Sequence, residues 1–330
     1  MQEEFFQDIF SIQTDRGFEE FALKTFHYQA VHNPVYKKFL LHLQVEPSLV
    51  RSMPDIPFLP IQFFKSHRVV SGKGTSGKIF SSSGTTGSQA SKHHILHPEI
   101  YIRSFLNGFT RFYGDPSEWI ILGLLPSYLE RKDSSLVYMV DYLIKAGKNR
   151  FSGFYLHNYE ALIKTIDEAR KKGNRKILLL GVSFALYDLA ALHQPDLKVV
   201  TVMETGGMKG RRIEPLREEL HAFLCKNLNV SSIHSEYGMT ELLSQAYSQG
   251  NGVFNAPPWM RIQIRDTGDP YEYMECGRSG GINVIDLANL YSCSFIATQD
   301  LGKLNSDGSF EVIGRFDNSD VRGCNLLVTN

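Results

Sequence analysis

Short apolar runs alternate with amphipathic segments from Ser71 onward, and this alternation limits the possible folds more than any other feature. Residues 119–125 form an apolar run that stops before Pro126, as a buried strand does. Further strands are predicted at 176–181, 197–203, 230–234 and 282–286, and helices near 134–146, 158–172 and 211–226. This alternation predicts an α/β domain with a largely buried sheet.

The sequence predicts a helix in the N-terminal part of the chain, before the alternating segments begin. Phe18, Ala22 and Phe26 repeat every four residues, which places them on one face of a helix. Asn33-Pro34 ends that helix, because proline disfavours the α conformation for the residue before it. Another helix is predicted from Pro98, since a first helical residue tolerates the missing N–H. Its apolar positions are Ile102, Phe105, Leu106 and Phe109.

The composition excludes several classes of protein. The 35 Lys and Arg residues balance 35 Asp and Glu residues, which argues against a nucleic-acid binder or a polybasic membrane-surface protein. No apolar run reaches the roughly 20 residues of a membrane span, and the acidic first residues lack the pattern of a secretory signal. Four widely spaced cysteines fit reduced thiols, so we expect a cytoplasmic protein.

The segment Phe80-Ser-Ser-Ser-Gly-Thr-Thr-Gly-Ser-Gln89 is rich in groups that hydrogen-bond phosphate. Gly84 and Gly87 permit conformations in which successive N–H groups converge on an anion. Four hydroxyls add donors without adding charge: those of Ser82, Ser83, Thr85 and Thr86. The spacing differs from Gly-x4-Gly-Lys-Ser/Thr, which argues against a P-loop kinase or ATPase. A plain surface loop of this composition stays the alternative.

Three later segments change this interpretation: His234-Ser-Glu-Tyr-Gly-Met-Thr-Glu241, Thr298-Gln-Asp-Leu-Gly302 and Gly314-Arg-Phe-Asp317. In this order after the phosphate loop, they resemble the signatures of the adenylate-forming ligases, which include acyl-CoA synthetases, peptide-synthetase adenylation domains and firefly-type luciferases. The chain is most similar to the acyl-protein synthetase (LuxE-type) of the bacterial bioluminescence fatty-acid reductase system. Five segments carry that similarity: Ile56-Pro-Phe-Leu-Pro60, Phe64-Lys-Ser66, Glu204-Thr-Gly-Gly207, Pro258-Trp-Met-Arg261 and Asp286-Leu-Ala-Asn289.

The resemblance implies the α/β fold of the adenylate-forming ligase large domain, with mixed β-sheets flanked by helices. It implies an N-terminal helical segment and proline-rich connector at 1–70, an adenylate-forming core at 71–315 and a short tail at 316–330. Only 13 residues follow Asp317, so we expect no full C-terminal lid domain, which carries the adenylation lysine in larger ligases. The candidates for a replacement cation are Lys92, Lys209, Arg211 and Arg212.

The resemblance also implies the chemistry. A carboxylic acid, a fatty acid in the most similar family, reacts with ATP to give an acyl-adenylate and pyrophosphate, and the acyl group then passes to a thiol. By the same resemblance, residues 82–87 contact the β,γ-phosphates, Thr240 contacts the α-phosphate, and Glu241 binds Mg²⁺. Asp300 binds the ribose, with Arg315 nearby. The adenine contacts are Gly206, Gly207, Tyr237 and Gly238.

Acyl-protein synthetases transfer the acyl group to a cysteine of their own near the C-terminus, and Arg322-Gly-Cys-Asn325 places Cys324 there. A thiolate is a suitable acceptor, because its thioester stays reactive enough for onward transfer. The resemblance therefore implies Cys324 as the acceptor and an acyl reductase or acyl carrier as the partner. Two alternatives stay open: Cys324 is a buried structural residue, or the acceptor is free CoA.

Two further functions stay open at this stage. A nucleotide-binding subunit that only regulates a reductase would carry the same motifs without the activity. An α/β-hydrolase would use Ser183 with Asp196 and His221, although Gly181-Val-Ser-Phe-Ala185 lacks the final glycine of a nucleophile elbow.

Two other groups of residues are candidate sites. His93, His94 and His97 lie close together, but no cysteine or carboxylate completes a metal site, so solvated or core histidines are the simpler interpretation. Apolar side chains near Met239 and Phe254 are candidates for an acyl pocket, although the sequence does not distinguish a pocket from core packing.

Overall fold

The computed structural model describes residues 9–82, 89–125, 133–173, 175–207 and 216–315. Eight α-helices lie within these ranges: α1 Asp15–His32, α2 Pro34–His42, α3 Phe63–Ser66, α4 Pro98–Tyr113, α5 Ser135–Gly147, α6 Tyr159–Lys172, α7 Ser183–Leu192 and α8 Arg217–Leu228. Fourteen strands accompany them: β1 Leu59–Pro60, β2 Lys78–Ser81, β3 Lys92–Ile95, β4 Trp119–Leu124, β5 Gly153–Tyr155, β6 Lys176–Val182, β7 Val200–Thr205, β8 His234–Tyr237, β9 Ala246–Ser248, β10 Val253–Phe254, β11 Met260–Arg265, β12 Ser279–Asp286, β13 Phe295–Leu304 and β14 Phe310–Arg315.

The strands form two six-stranded sheets and one hairpin. The first sheet has the order β5-β4-β6-β7-β8-β9, in which all neighbours are parallel except the antiparallel pair of β8 and β9. The second sheet has the order β10-β14-β13-β12-β11 and is antiparallel, with β1 added parallel to β13. The hairpin pairs β2 with β3. The predicted α/β class is therefore confirmed.

The core of the first sheet explains the apolar run at 119–125. All six residues of β4 are buried, and β4 lies between β5 and β6. A parallel strand that is covered on both faces reads as a continuous apolar run rather than as an alternating one. The strand predicted at this position is confirmed, as are those that correspond to β6 and β12.

The structure contains both helices that the sequence predicted, the one near the N-terminus and the one that starts at Pro98. α1 buries Phe18, Ala22 and Phe26, and it ends at His32, before Asn33. Pro34 is the first residue of α2, and the Asn33 side chain caps that helix by accepting from two backbone N–H groups. α4 begins at Pro98 as predicted. Local signals of capping and proline chemistry therefore determine where these helices begin and end.

Three elements differ from the prediction. The strand expected at 197–203 begins at Val200 and ends at Thr205. The strand expected at 230–234 begins only at His234, because Asn229 closes α8 in a left-handed conformation and a loop follows. Helix α7 was not predicted, and most of its residues are buried, including Phe184, Leu186 and Leu189. A helix that is apolar on most of its surface lacks the amphipathic period from which helices are recognised.

The N-terminal part of the chain packs directly on the second sheet. The Gln29 side chain donates to the Asn289 and Leu290 carbonyls and accepts from the Ser294 backbone N–H. Gln29 is fully buried, so these bonds satisfy an amide that would otherwise be costly to bury. The boundary placed at residue 70 stays a prediction.

Within the part of the chain that the structure describes, no helix is long and apolar enough to cross a membrane.

Candidate active site

The carboxyl edge of the first sheet brings two of the predicted segments together. β7 ends at Thr205 and β8 at Tyr237, and the two strands are hydrogen-bonded neighbours in which Thr205 pairs with Glu236. Gly206 follows β7 with a φ of +70°, and among the described residues other than its chain neighbours no atom lies within 4 Å of the position that a Cβ would take. In open α/β sheets, ligands bind outside this edge.

Tyr237 joins this edge to the second sheet. Its hydroxyl donates to Asp300 Oδ2 at 2.8 Å, and Asp300 lies on β13. Arg315, the partner of Asp300 in the register of β13 and β14, places Nε 3.2 Å from Asp300 Oδ1. The structure thus brings together three residues that were predicted separately as nucleotide contacts.

The protonation states of this group follow from burial. Burial raises the pKa of Asp300, and the Arg315 charge opposes that rise. Burial raises the pKa of Tyr237 well above its ordinary value, and the neighbouring Asp300 charge adds to the effect. Tyr237 therefore stays a hydroxyl donor, and the Asp300 carboxylate keeps acceptor capacity on both oxygens. The Arg315 side chain is 74% exposed and covers Asp300 from the solvent side.

Glu241 provides a second buried carboxylate a short distance along the chain from Tyr237. It is 5% exposed, and burial raises its pKa, whereas a hydrogen bond with the Ser91 side chain opposes the rise. Among the described residues, no lysine or arginine forms an ion pair with Glu241, although the more distant Arg315 charge also lowers its pKa. A desolvated carboxylate of this kind suits a hard cation such as Mg²⁺.

Two side chains from distant segments hold the backbone beside this carboxylate. His93 Nδ1 lies 2.8 Å from the Thr240 carbonyl oxygen, and Asn289 Nδ2 donates to the Glu241 carbonyl at 2.8 Å. Consecutive carbonyls are thereby fixed by a residue of the hairpin and a residue next to the second sheet. Neither role was predicted from the sequence, although Asn289 belongs to a segment noted for its resemblance.

Asp286 holds the backbone that follows Glu241. Its carboxylate accepts from the Leu243 and Ser244 backbone N–H groups at 2.8 and 3.0 Å and from the Ser244 hydroxyl at 2.6 Å. Asp286 is fully buried, and removal of its oxygens would leave several donors without a partner. The segment after Thr240 is therefore anchored to the end of β12.

Most of the predicted phosphate loop, namely Ser83, Gly84, Thr85, Thr86 and Gly87, lies outside the described residues. Its base is described: the Ser82 Oγ accepts from the Ser91 backbone N–H at 2.9 Å, which extends the pairing of β2 and β3. Lys92 is exposed at the start of β3. Lys209, Arg211, Arg212 and Cys324 also lie outside the described residues.

Gly238 is required because of Glu236. A Cβ at Gly238 would collide with the Glu236 carboxylate, whose other oxygen accepts a hydrogen bond from the Thr205 hydroxyl. Burial raises the pKa of Glu236 to about 7, the Thr205 hydroxyl lowers it, and the Glu204 charge raises it further. Glu236 was not predicted as a site residue, because only the folded chain shows that it is buried.

Glu236 should make stability depend on pH. Because its folded pKa of about 7 exceeds the ordinary value of 4.5, its contribution is complete below pH 4.5 and is lost as pH rises through 7. Over this window the wild-type protein should lose about 3 kcal/mol of unfolding free energy, which Glu236→Gln should retain at pH 8. Denaturant unfolding at several pH values measures this. Equal pH slopes for the two proteins would contradict the assignment.

The residues of the hydrolase alternative do not form a catalytic triad. The Ser183 hydroxyl lies 2.9 Å from Glu204 Oε2 and 3.1 Å from the Gly206 carbonyl, and His221 Nε2 lies 3.5 Å from the other oxygen of Glu204. Asp196 accepts instead from Asn229. Burial tends to raise the pKa of Glu204, but His221 and a nearby arginine leave it lowered. The buried Ser183 side chain thus stabilises the turn that contains Gly206.

The three histidines do not form a metal site. His94 lies 3.1 Å from the Ser76 hydroxyl, His97 lies 2.9 Å from Glu99, and His93 points to the Thr240 carbonyl. In the described ranges, no group of three or more histidine, cysteine or acidic residues is placed to hold a metal.

The aromatic side chain proposed for an acyl pocket belongs to the core. Phe254 is 1% exposed, and its ring stacks on Phe310 at 5.5 Å and lies edge-on to Tyr237 at 6.0 Å. The Arg217 guanidinium lies over the same ring, 5.1 Å from its centroid. Phe254 thus packs against Tyr237 within the core, which is one of the two interpretations that the sequence left open. Met239 is half-buried.

No protein-family model matches the sequence, and no curated protein matches it. Solved structures do match. ATP-bound MatB from Rhodopseudomonas palustris has a TM-score of 0.55 at 16% identity over 74% of this chain, which spans about half (49%) of the MatB chain. An open conformation of 2-hydroxyisobutyryl-CoA ligase with 2-HIB-AMP and CoA has a TM-score of 0.67 at 12% identity, covering 92% of this chain and 70% of the ligase. The postadenylation state of the same ligase with R3-HIB-AMP has a TM-score of 0.68 at 11% identity, and the match covers 92% of this chain and 68% of the ligase.

The chain therefore has the fold of the adenylate-forming ligases.

Proposed function

We propose that this chain activates a carboxylic acid with ATP, giving an acyl-adenylate and pyrophosphate, and then transfers the acyl group to a thiol. The contacts of Asp300 with Tyr237 and with Arg315 support this most, because they join predicted nucleotide residues from two sheets at one edge. The adenylate-forming ligase fold and the ATP and acyl-AMP complexes of the similar proteins support the same reaction.

In this proposal, the nucleoside lies over the ends of β7 and β8. Asp300 accepts hydrogen bonds from the ribose hydroxyls, while the exposed Arg315 side chain moves aside or turns toward a phosphate oxygen. The Tyr237 ring packs against adenine, and the open backbone at Gly206 permits close approach. Each role uses an acceptor, a donor or a space that the described residues provide.

The phosphates lie between the hairpin and the segment after β8. Residues 82–87 hold the β,γ-phosphates, the Thr240 hydroxyl contacts the α-phosphate, and Glu241 holds Mg²⁺. When bound, Mg²⁺ neutralises charge on the phosphate oxygens. Lys92 is a candidate for the cation that stabilises the developing charge, and it lies within the described residues. The other candidates are Lys209, Arg211 and Arg212.

The chemistry has two steps. A carboxylate oxygen attacks the α-phosphorus, a new P–O bond forms, and the bond to pyrophosphate breaks. A thiolate then attacks the acyl carbon, the thioester forms, AMP leaves, and the thiol proton is released to solvent. On the basis of the resemblance, we propose a fatty acid as the substrate, Cys324 as the thiol and an acyl reductase or acyl carrier as the recipient. The four widely spaced cysteines support a cytoplasmic location.

Acid-dependent release of pyrophosphate from ATP tests the first step. We expect release with at least one member of a panel of acetate, octanoate, tetradecanoate, benzoate and 2-hydroxyisobutyrate, and none without acid. Binding of ATP without release for any acid would favour a regulatory nucleotide-binding subunit.

Cys324→Ser should abolish covalent labelling of the protein by ATP and a radiolabelled acid. In the wild type, we expect label that hydroxylamine removes, because hydroxylamine cleaves thioesters. Cys276→Ser is the matched control, since Cys276 is an exposed free cysteine, and it should label like the wild type. Equal labelling of Cys324→Ser would remove Cys324 from the reaction, and acyl-CoA formation without protein label would identify CoA as the acceptor.

A further inference from the structure

His93 lies at the contact between the hairpin and the segment that contains Glu241. It is fully buried on β3, with the Phe64 ring edge-on at 5.4 Å. Alternate residues of a strand face the same side, so Ser91, His93 and Ile95 are buried while Lys92 faces solvent. The inward face of this strand therefore carries polar side chains toward the interior of the protein.

The hydrogen bond made by His93 has a defined direction. The Thr240 carbonyl oxygen 2.8 Å from Nδ1 only accepts, so Nδ1 carries the hydrogen. Burial lowers the pKa of His93 to about 4, which keeps the ring neutral near pH 7. Nε2 is also buried and has no partner among the described residues, so the bond to Thr240 is the ring's polar contact there.

Ser91 provides a second connection from the same face of the hairpin. Its side chain lowers the pKa of the Glu241 carboxyl, and its backbone N–H donates to Ser82 Oγ at the base of the predicted phosphate loop. The hairpin thus contacts the backbone of Thr240 and the carboxylate of Glu241 through two residues separated by one position.

We infer that His93 is a positioning residue for Glu241: its Nδ1–H fixes the Thr240 carbonyl and hence the peptide that directs the Glu241 carboxylate toward Mg²⁺–ATP. Asn289 holds the next carbonyl, so both ends of this short backbone segment are fixed. Without the His93 donor, the carbonyl of the peptide between Thr240 and Glu241 loses this hydrogen bond. The inference rests on the proposed function, because it assigns the metal role to Glu241.

The test compares binding of ATP with Mg²⁺ and with a chelator, by calorimetry on the full-length protein. His93→Leu should weaken Mg²⁺–ATP binding by about 10-fold or more, the typical loss when a residue supporting a metal ligand is removed. It should leave metal-free ATP binding unchanged. His94→Leu is the matched control, since His94 lies on the other face of β3 and bonds Ser76. It should bind as the wild type does.

A donor at the Nδ1 position should restore binding. The amide nitrogen of His93→Asn reaches that position, whereas that of His93→Gln reaches the position of Nε2, so Asn should bind Mg²⁺–ATP as the wild type does and Gln should not. The comparison of His93→Asn with His93→Gln also tests the role of His93 if His93→Leu does not fold. Equal weakening with and without metal, or equal binding by Asn and Gln, would overturn the inference. Absence of metal-dependent ATP binding in the wild type would overturn both it and the proposed function.

Discussion

Glu241→Gln should lower acid-dependent pyrophosphate release by about 100-fold to 1,000-fold, the loss expected when one electrostatic stabiliser of a transition state is removed. Glutamine has the size of glutamate and keeps one side-chain oxygen as an acceptor, so the packing around this buried side chain is preserved. It lacks the negative charge that holds a divalent cation. The folded protein should therefore be retained while the reaction is lost.

The rate of release at saturating ATP and its dependence on Mg²⁺ concentration measure this effect. Glu272→Gln is the matched control, because Glu272 is exposed, and it should react like the wild type. The thermal unfolding temperature of Glu241→Gln should equal or exceed that of the wild type, since an unpaired buried charge has been removed. A variant that releases pyrophosphate at the wild-type rate would exclude a metal role for Glu241.

Asp300→Asn should weaken ATP binding by about 100-fold, because two hydrogen bonds to a charged acceptor, each worth at least about 1.5 kcal/mol, are lost or weakened. The amide oxygen of asparagine still accepts from the Tyr237 hydroxyl, so the bond between the two sheets is retained. Its NH₂ group, however, faces the ribose or Arg315 as a donor. The nucleotide therefore loses an acceptor without a large change in the fold.

Dideoxy-ATP, which lacks both ribose hydroxyls, separates this effect from general damage. The wild type should bind ATP much more tightly than dideoxy-ATP, whereas Asp300→Asn should bind both weakly and alike. Asp307→Asn, an exposed change in the turn between β13 and β14, should preserve the wild-type preference. If Asp300→Asn still preferred ATP as strongly as the wild type does, Asp300 would not be the ribose acceptor.

Signals that are local in the sequence predicted most of the fold. Pro98 marks the start of α4, and the apolar run at β4 reflects a strand covered on both faces. Signals that depend on tertiary packing were missed, because α7 is buried on most sides and has no clear period. The shift of β8 to His234 has a local cause, the left-handed Asn229, but asparagine adopts that conformation in only some contexts.

The candidate site was predictable as a set of segments and not as a set of contacts. The sequence order placed Tyr237 and Asp300 in one nucleotide site, yet the bond between their side chains joins residues 63 positions apart. His93 was interpreted as one of three solvated or core histidines, because its acceptor lies 147 positions away. The burial of Glu236 follows from strand pairing, for which the sequence has no direct signal.

Transfer of a labelled oxygen from acid to AMP tests the central claim most directly. If a carboxylate oxygen attacks the α-phosphorus, an acid with isotopically heavy carboxylate oxygens will give AMP with one heavy oxygen after acyl transfer. Mass spectrometry of the nucleotide products measures this. We predict singly labelled AMP together with unlabelled pyrophosphate. Unlabelled AMP, or ADP with labelled phosphate, would contradict the proposed adenylation.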